Sequence, residues 1–160
     1  MNISYRWLQR HLDLSGHDPA SIARDLSLHV AEVEGVERFA PALDAVVIGQ
    51  VLECGRHPNA DRLSLCRVDV GAEAPLDIVC GAPNVAAGQR VAVAKVGAVL
   101  PGDFKIKRAK IRGQVSEGMI CSERELGVGE EHDGIWALDA GLGELGQPVS
   151  EALGGEDWIF

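Results

Sequence analysis

The apolar and polar positions change rhythm along the chain. Near the start they recur at helical spacing. Tyr5, Leu8 and Leu12 fall on one side of a segment that Ser4 can cap, with Trp7 beside them and Arg6, Gln9 and Arg10 facing water. This predicts a helix ending near Asp13. Asp18-Pro19 joins a capping residue to a proline at the first helical position, and Ile22, Ala23 and Leu26 give the second helix its stripe. Val33 to Phe39 then alternates like a strand. A segment this short buries too little surface to stand alone, so it must pack on something else.

Beyond Ala40-Pro41-Ala42, which reads as a linker, the rhythm shortens to that of strands. Val46 to Glu53 is the first, with Gly49 at a place for tight curvature. Cys54 to Asp61 is a polar loop, and Leu63 to Val70 returns. Leu76 to Cys80 and Arg90 to Lys95 follow, separated by Gly81 to Gly88, a small turn-prone stretch that fits a short turn or helix. Met119 to Cys121 completes five short curved strands, a pattern that predicts a mainly β fold built on a five-stranded Greek-key barrel of the OB type with short helices. Ile135 to Leu138 is a further strand, and Gln147-Pro148 opens a short helix that Gly154 closes. The last residues, Trp158-Ile159-Phe160, are large and apolar, as expected of a cut inside a strand of a longer protein. They, Tyr5 and Trp7 are expected to be partly exposed or covered by a neighbour.

Charge gathers between Phe104 and Leu126. Lys105, Lys107, Arg108, Lys110 and Arg112 fall within eight residues, while Phe104, Ile106, Ala109 and Ile111 supply an apolar side. The alternation changes phase between Ile106 and Ala109, which suggests a bulge. A turn is expected near Gln114 to Glu117. Ser122 and Glu125 form an S-x-x-E capping box, with Gly127 ending its helix.

Composition sharpens this picture. The net charge of −9 hides an asymmetry: residues 1–39 carry 4 basic and 6 acidic side chains, 40–113 carry 10 and 7, and 114–160 carry 1 and 11. An acidic protein is a poor general binder of nucleic acid, so any such binding must be local and salt-sensitive. There is no long apolar run and no leader-like start, which predicts a soluble, cytoplasmic protein without membrane contact. Cys54, Cys66, Cys80 and Cys121 lack metal-ligand spacing and fit buried thiols; Cys54 and Cys66 could face each other across a hairpin. His57, Asp61 and Ser64 would have to supply a whole catalytic centre from one loop, so catalysis is not expected here. Barrel aromatics are nearly missing, and Phe104 is expected to pack inward, leaving phosphate and shape as the means of recognition.

Three stretches, H-P-N-A-D-R-L-S-L-C-R-V-D-V-G (His57 to Gly71), I-V-C-G-A-P-N-V (Ile78 to Val85) and I-R-G-Q-V-S-E-G-M-I-C-S-E-R-E-L (Ile111 to Leu126), together resemble the tRNA-binding OB module. That module occurs in bacterial phenylalanyl-tRNA synthetase beta chains, some methionyl-tRNA synthetases, free-standing tRNA-binding proteins and a secretion-related chaperone. The flanks, Ile3 to Leu14, Ala31 to Glu37 and E-D-W-I-F, are similar to those of the synthetase beta chain, although Val30 stands where that family usually has Gly. The resemblance implies three parts: residues 1–39 as the first half of an interrupted domain, 40–150 as the OB domain, and 151–160 as the return to the first. It implies a non-catalytic module of an enzyme that joins phenylalanine to tRNA with ATP and magnesium, with no cofactor bound in this part. The implied partners are tRNA, the synthetase alpha subunit and the rest of the beta chain. Candidate tRNA-binding residues are Lys105, Lys107, Arg108, Lys110, Arg112, His57, Asn59 and Arg62, with Asn84 and Ser116 from the motifs; no metal ligands are expected. Two readings stay open: a module that holds tRNA, and one that mainly braces the synthetase.

Overall fold

The computed structural model describes residues 2–39, 43, 45–155 and 157–160. In chain order the elements are α1 (Tyr5–Gln9), α2 (Pro19–His29), β1 (Glu37–Phe39), β2 (Val46–His57), β3 (Ala60–Asp69), β4 (Leu76–Cys80) and β5 (Arg90–Lys95). Then come β6 (Val99–Leu100), β7 (Phe104–Lys105), β8 (Ala109–Ile111), β9 (Gln114–Ser116), β10 (Gly118–Ile120) and α3 (Glu123–Leu126). β11 (Ala137–Leu138), α4 (Val149–Ala152) and β12 (Asp157–Ile159) end the chain. They form two compact units, Met1–Ala40 with Gly155–Phe160, and Pro41–Gly154.

In the first unit, Ser4 Oγ accepts the Trp7 amide at 3.0 Å and so starts α1, while the Asp18 carboxylate accepts the Ser21 amide at 2.8 Å ahead of Pro19. α1 stops at Gln9, short of Asp13. The Arg10 and His11 amides reach back only three residues, and Asp13 binds the Ser15 amide, offering the backbone a turn instead of a helix. The strand expected from Val33 begins only at Glu37, because Ser27 Oγ takes the Val33 amide at 3.0 Å. β1 pairs with β12 in antiparallel register, Arg38 opposite Trp158. Ile22, Ala23 and Phe160 form a small core among Tyr5, Leu8, Leu14, Leu26 and Val33. Tyr5, Trp158 and Ile159 are half-buried and Trp7 is exposed, whereas Phe160 is buried. The expected linker, Ala40-Pro41-Ala42, lies outside the described residues.

In the second unit, an antiparallel sheet runs β10-β5-β2-β3-β4, with β11 also on the edge of β5. The Ser116 hydroxyl accepts the Val79 amide at 3.1 Å and the Glu117 amide donates to Asp77 O at 2.8 Å, so β4 is drawn to the β9–β10 segment and the sheet nearly closes. This is the mainly β, OB-type barrel that the sequence predicts. Val47, Val51, Val91 and Val93 point into one apolar cluster with Val68 and Ile78, while Val46, Ile48, Ala92 and Ala94 point into another with Leu43, Leu126 and Val149. β5 and the first half of β2 are therefore buried on both faces, which is why they are continuously apolar. Gly49 serves packing: a Cβ there would lie 2.8 Å from a Val93 methyl and 2.9 Å from one of Val68.

Several local expectations fail here. Cys54 to Asp61 is not a loop; β2 runs on to His57, Pro58-Asn59 makes a tight turn, and β3 starts at Ala60. The basic stretch is not one bulged strand but two ribbons, β6–β7 and β8–β9, separated at Ile106 to Arg108. The turn expected at Gln114 to Glu117 falls at Arg112-Gly113, with φ of 46° and 95°, between the paired residues Ile111 and Gln114.

Candidate nucleic-acid interface

Ile106 explains how the basic stretch is held. It is 5% exposed, its amide donates to Ala98 O at 2.8 Å, and its carbonyl accepts the Gly97 amide at 2.8 Å. Anchored there, the chain turns Lys105 and Lys107 to solvent on either side. Lys110 and Arg112 are exposed on the next ribbon. Lys105, Lys107, Lys110 and Arg112 make no ion pair with any described residue, whereas Arg108 Nε lies 3.2 Å from Glu117 Oε1. Arg108 is thus paired with a carboxylate at the surface, and the other four expected cations face no acidic partner among the described residues.

Phe104 does not pack inward. It is 57% exposed, because the buried place on this stretch goes to Ile106. An exposed ring beside Lys105 can stack a nucleobase as well as cover apolar surface. Arg112 is notable for its backbone: a side chain at positive φ costs about 1–2 kcal/mol relative to the usual conformation, and here it places a cation at a hairpin tip.

Of the loop candidates, Arg62 and Asn59 are exposed. His57 is not: it is 4% exposed, and its ring lies between two backbones. The Asn59 amide donates to Nδ1 at 3.0 Å, which leaves Nε2 to donate to Ile111 O at 3.1 Å. Those bonds, and not Asp61 or Ser64, occupy the ring. Asn59 Nδ2 also donates to Arg112 O at 3.3 Å. The structure therefore joins the tip of β2–β3 to the tip of β8–β9 and brings Arg62, Asn59, Lys110 and Arg112 to one end of the barrel.

Ser116 and Asn84 both make hydrogen bonds within the barrel, Ser116 from a buried position and Asn84 from an exposed one. Ser116 is 4% exposed and donates to Gly118 O at 3.0 Å besides accepting the Val79 amide. The Asn84 side chain accepts the Ile135 amide at 2.8 Å and donates to Ile135 O at 3.0 Å, holding a distant loop instead of capping its own turn. A missed candidate is Arg56, exposed on β2 next to His57. It lines a groove of about 500 Å³ with Arg67, Leu65, Gly113 and Gln114. The sequence reading placed Arg56 in a loop among small polar residues, where its strand position gave no signal.

The thiols match their surroundings. Cys54 and Cys66 face each other with sulfurs 3.8 Å apart and unbridged. Burial pushes the Cys66 thiol up, with the Cys54 sulfur adding to it, and burial pushes Cys121 from 9.0 up to about 12. Among the described residues no helix is long and apolar enough to cross a membrane.

Comparison with known proteins places the chain in a family. Residues 46–146 match the family described as "Putative tRNA binding domain". The chain is 50% identical over 166 aligned positions to a phenylalanine–tRNA ligase beta subunit of Halalkalibacterium halodurans, covering 100% of this chain and 20% of that one. It is 59% identical over 128 positions to the corresponding Bacillus subtilis subunit, covering 80% and 16%. The C-terminal domain of Plasmodium vivax p43 superposes with a TM-score of 0.47 at 24% identity, over 64% of this chain and 57% of that one. The chain spans about a fifth of the length of the curated relatives it matches. With the family match running from the first barrel strand past the last, the chain belongs to the tRNA-binding domain family.

Proposed function

We propose that the chain is part of a phenylalanine–tRNA ligase beta subunit and that its barrel holds tRNA through Lys105, Lys107, Lys110 and Arg112, with Arg62, Asn59 and Phe104 beside them. The observation that carries this reading is that Lys105 and Lys107 flank a buried anchor, Ile106, and Lys110 and Arg112 are exposed on the next ribbon, all four without an acidic partner among the described residues and all inside the matched family region. The barrel raises the local concentration of tRNA for chemistry performed elsewhere in the enzyme. In this reading the enzyme is cytoplasmic, uses ATP and magnesium to join phenylalanine to tRNA, and works with an alpha subunit and the rest of the beta chain. Among the described residues, His, Cys, Asp and Glu side chains form no group of three able to hold a metal.

Four cations engaging phosphate give a log-log salt slope of roughly −2.8 to −3.6, against roughly −3.5 to −4.5 for all five. The test is a titration with tRNA at several salt concentrations, repeated with Lys105, Lys107, Lys110 and Arg112 changed to Ala. Strong weakening and a flattened slope in the variant support the reading. Equal binding by both proteins, or none by either, overturns it. The bracing alternative draws on the Arg108–Glu117 pair and on the framework roles of His57, Asn84 and Ser116, and it predicts that absence of binding.

A further inference from the structure

We propose that His57 is a positioning residue for RNA binding: it clasps the tips of two hairpins so that cations from both present one rigid surface. The inference rests on the tRNA-binding reading above and assigns His57 a role without RNA contact. His57 is 4% exposed, too little to meet a ligand. Its two nitrogens serve different strands, Nδ1 accepting the Asn59 amide within its own turn and Nε2 donating to Ile111 O across 54 residues of sequence. β8–β9 is a two-stranded ribbon of three residues on each side, outside the main sheet. So short a ribbon is marginal alone and needs outside support. At its base Ser116 ties it to β4 through the Val79 amide; at its tip His57 supplies the support, one residue from the strained Arg112-Gly113 turn, and Asn59 Nδ2 adds a longer bond to the Arg112 carbonyl. Exposed Arg56 and Arg62 on the first hairpin and Lys110 and Arg112 on the second are thereby fixed relative to one another. A surface arranged before binding does not lose this freedom when RNA arrives.

Two substitutions separate the bond from the ring. In His57→Gln the carboxamide nitrogen reaches the place of Nε2 and can donate to Ile111 O; in His57→Asn the shorter side chain reaches only the place of Nδ1. The expected result is tRNA affinity within about twofold of the parent for His57→Gln and about tenfold weaker for His57→Asn, the effect of one buried hydrogen bond and the order it imposes. Hydrogen exchange should rise in β8–β9 of His57→Asn while β5 stays protected. Affinity equal to the parent in His57→Asn overturns the clasp, as does loss of protection in β5, which would make His57 a general fold residue. If the unmodified chain binds no tRNA, the tRNA reading fails and the role in binding fails with it; weakened binding of both variants alike, beside a binding parent, refutes the clasp alone.

Discussion

The two units are held together by different physics. The barrel buries Val46, Ile48, Val51, Val68, Val91, Ala92, Val93 and Ala94 completely, in clusters on both faces of its central strands. Among its described residues the small unit buries Ile22, Ala23 and Phe160 at its centre, and it depends on a polar knot. There the Asp157 carboxylate accepts Ser4 Oγ at 2.6 Å and the Arg6 amide at 3.0 Å, tying the last strand to the first helix. Burial makes the barrel a stable frame on which hairpins can carry unpaired cations and a strained turn. The knot makes the small unit sensitive to single charges.

The contrast predicts where each unit breaks. Ile48→Ala removes a side chain with no exposure from the barrel and should cost about 2–5 kcal/mol in chemical denaturation. The same truncation at Ile22, beside a much smaller core, should cost less and leave the barrel signal unchanged.

pH should divide the units in opposite directions. Cys121 and Cys66 have folded pKa values above that of an unfolded thiol, so their protonated forms contribute fully below pH 9.0. Above it the unfolded chain gains by ionising, and barrel stability should fall by up to about 1.4 kcal/mol per thiol per pH unit until the folded thiols titrate. Asp157 behaves in the reverse sense. Burial raises its pKa, but the hydrogen bonds from Ser4, Arg6 and Trp158 and the Arg6 charge outweigh this and hold it below 3.8. Its contribution is present above that value and is lost as pH falls through the folded pKa, so acid should release the small unit first, as read by exchange at the Arg6 and Trp7 amides. Asp157→Ala should reproduce that release at neutral pH, at a cost of about 1 kcal/mol.

The smallest effect concerns the frame and its load. Arg112→Asn suits a turn of positive φ, so it should raise stability by up to about 1 kcal/mol while weakening tRNA binding. A loss of both would mean that the turn, not the charge, governs affinity.

What the sequence made legible was local. Asp18-Pro19 and the Ser122–Glu125 box announce their helices because cap and amide lie within three residues of each other. The five barrel strands show as short apolar runs because alternation or continuous burial marks each one. The site was less legible because its decisive contacts are distant. Nothing near His57 says that Ile111 will cover it, and nothing near Phe104 says that Gly97 and Ala98 will draw Ile106 inward and leave the ring outside. The Arg112-Gly113 turn was missed because arginine is a poor signal for positive φ.

Amide spectra recorded while tRNA is added would show directly which surface meets RNA. The account predicts shifts concentrated at Asn59 to Arg62 and Phe104 to Gly113, fading as salt rises. Shifts confined to residues 2–39 or to the acidic stretch Glu123 to Asp133, or no shifts at low salt, would contradict it.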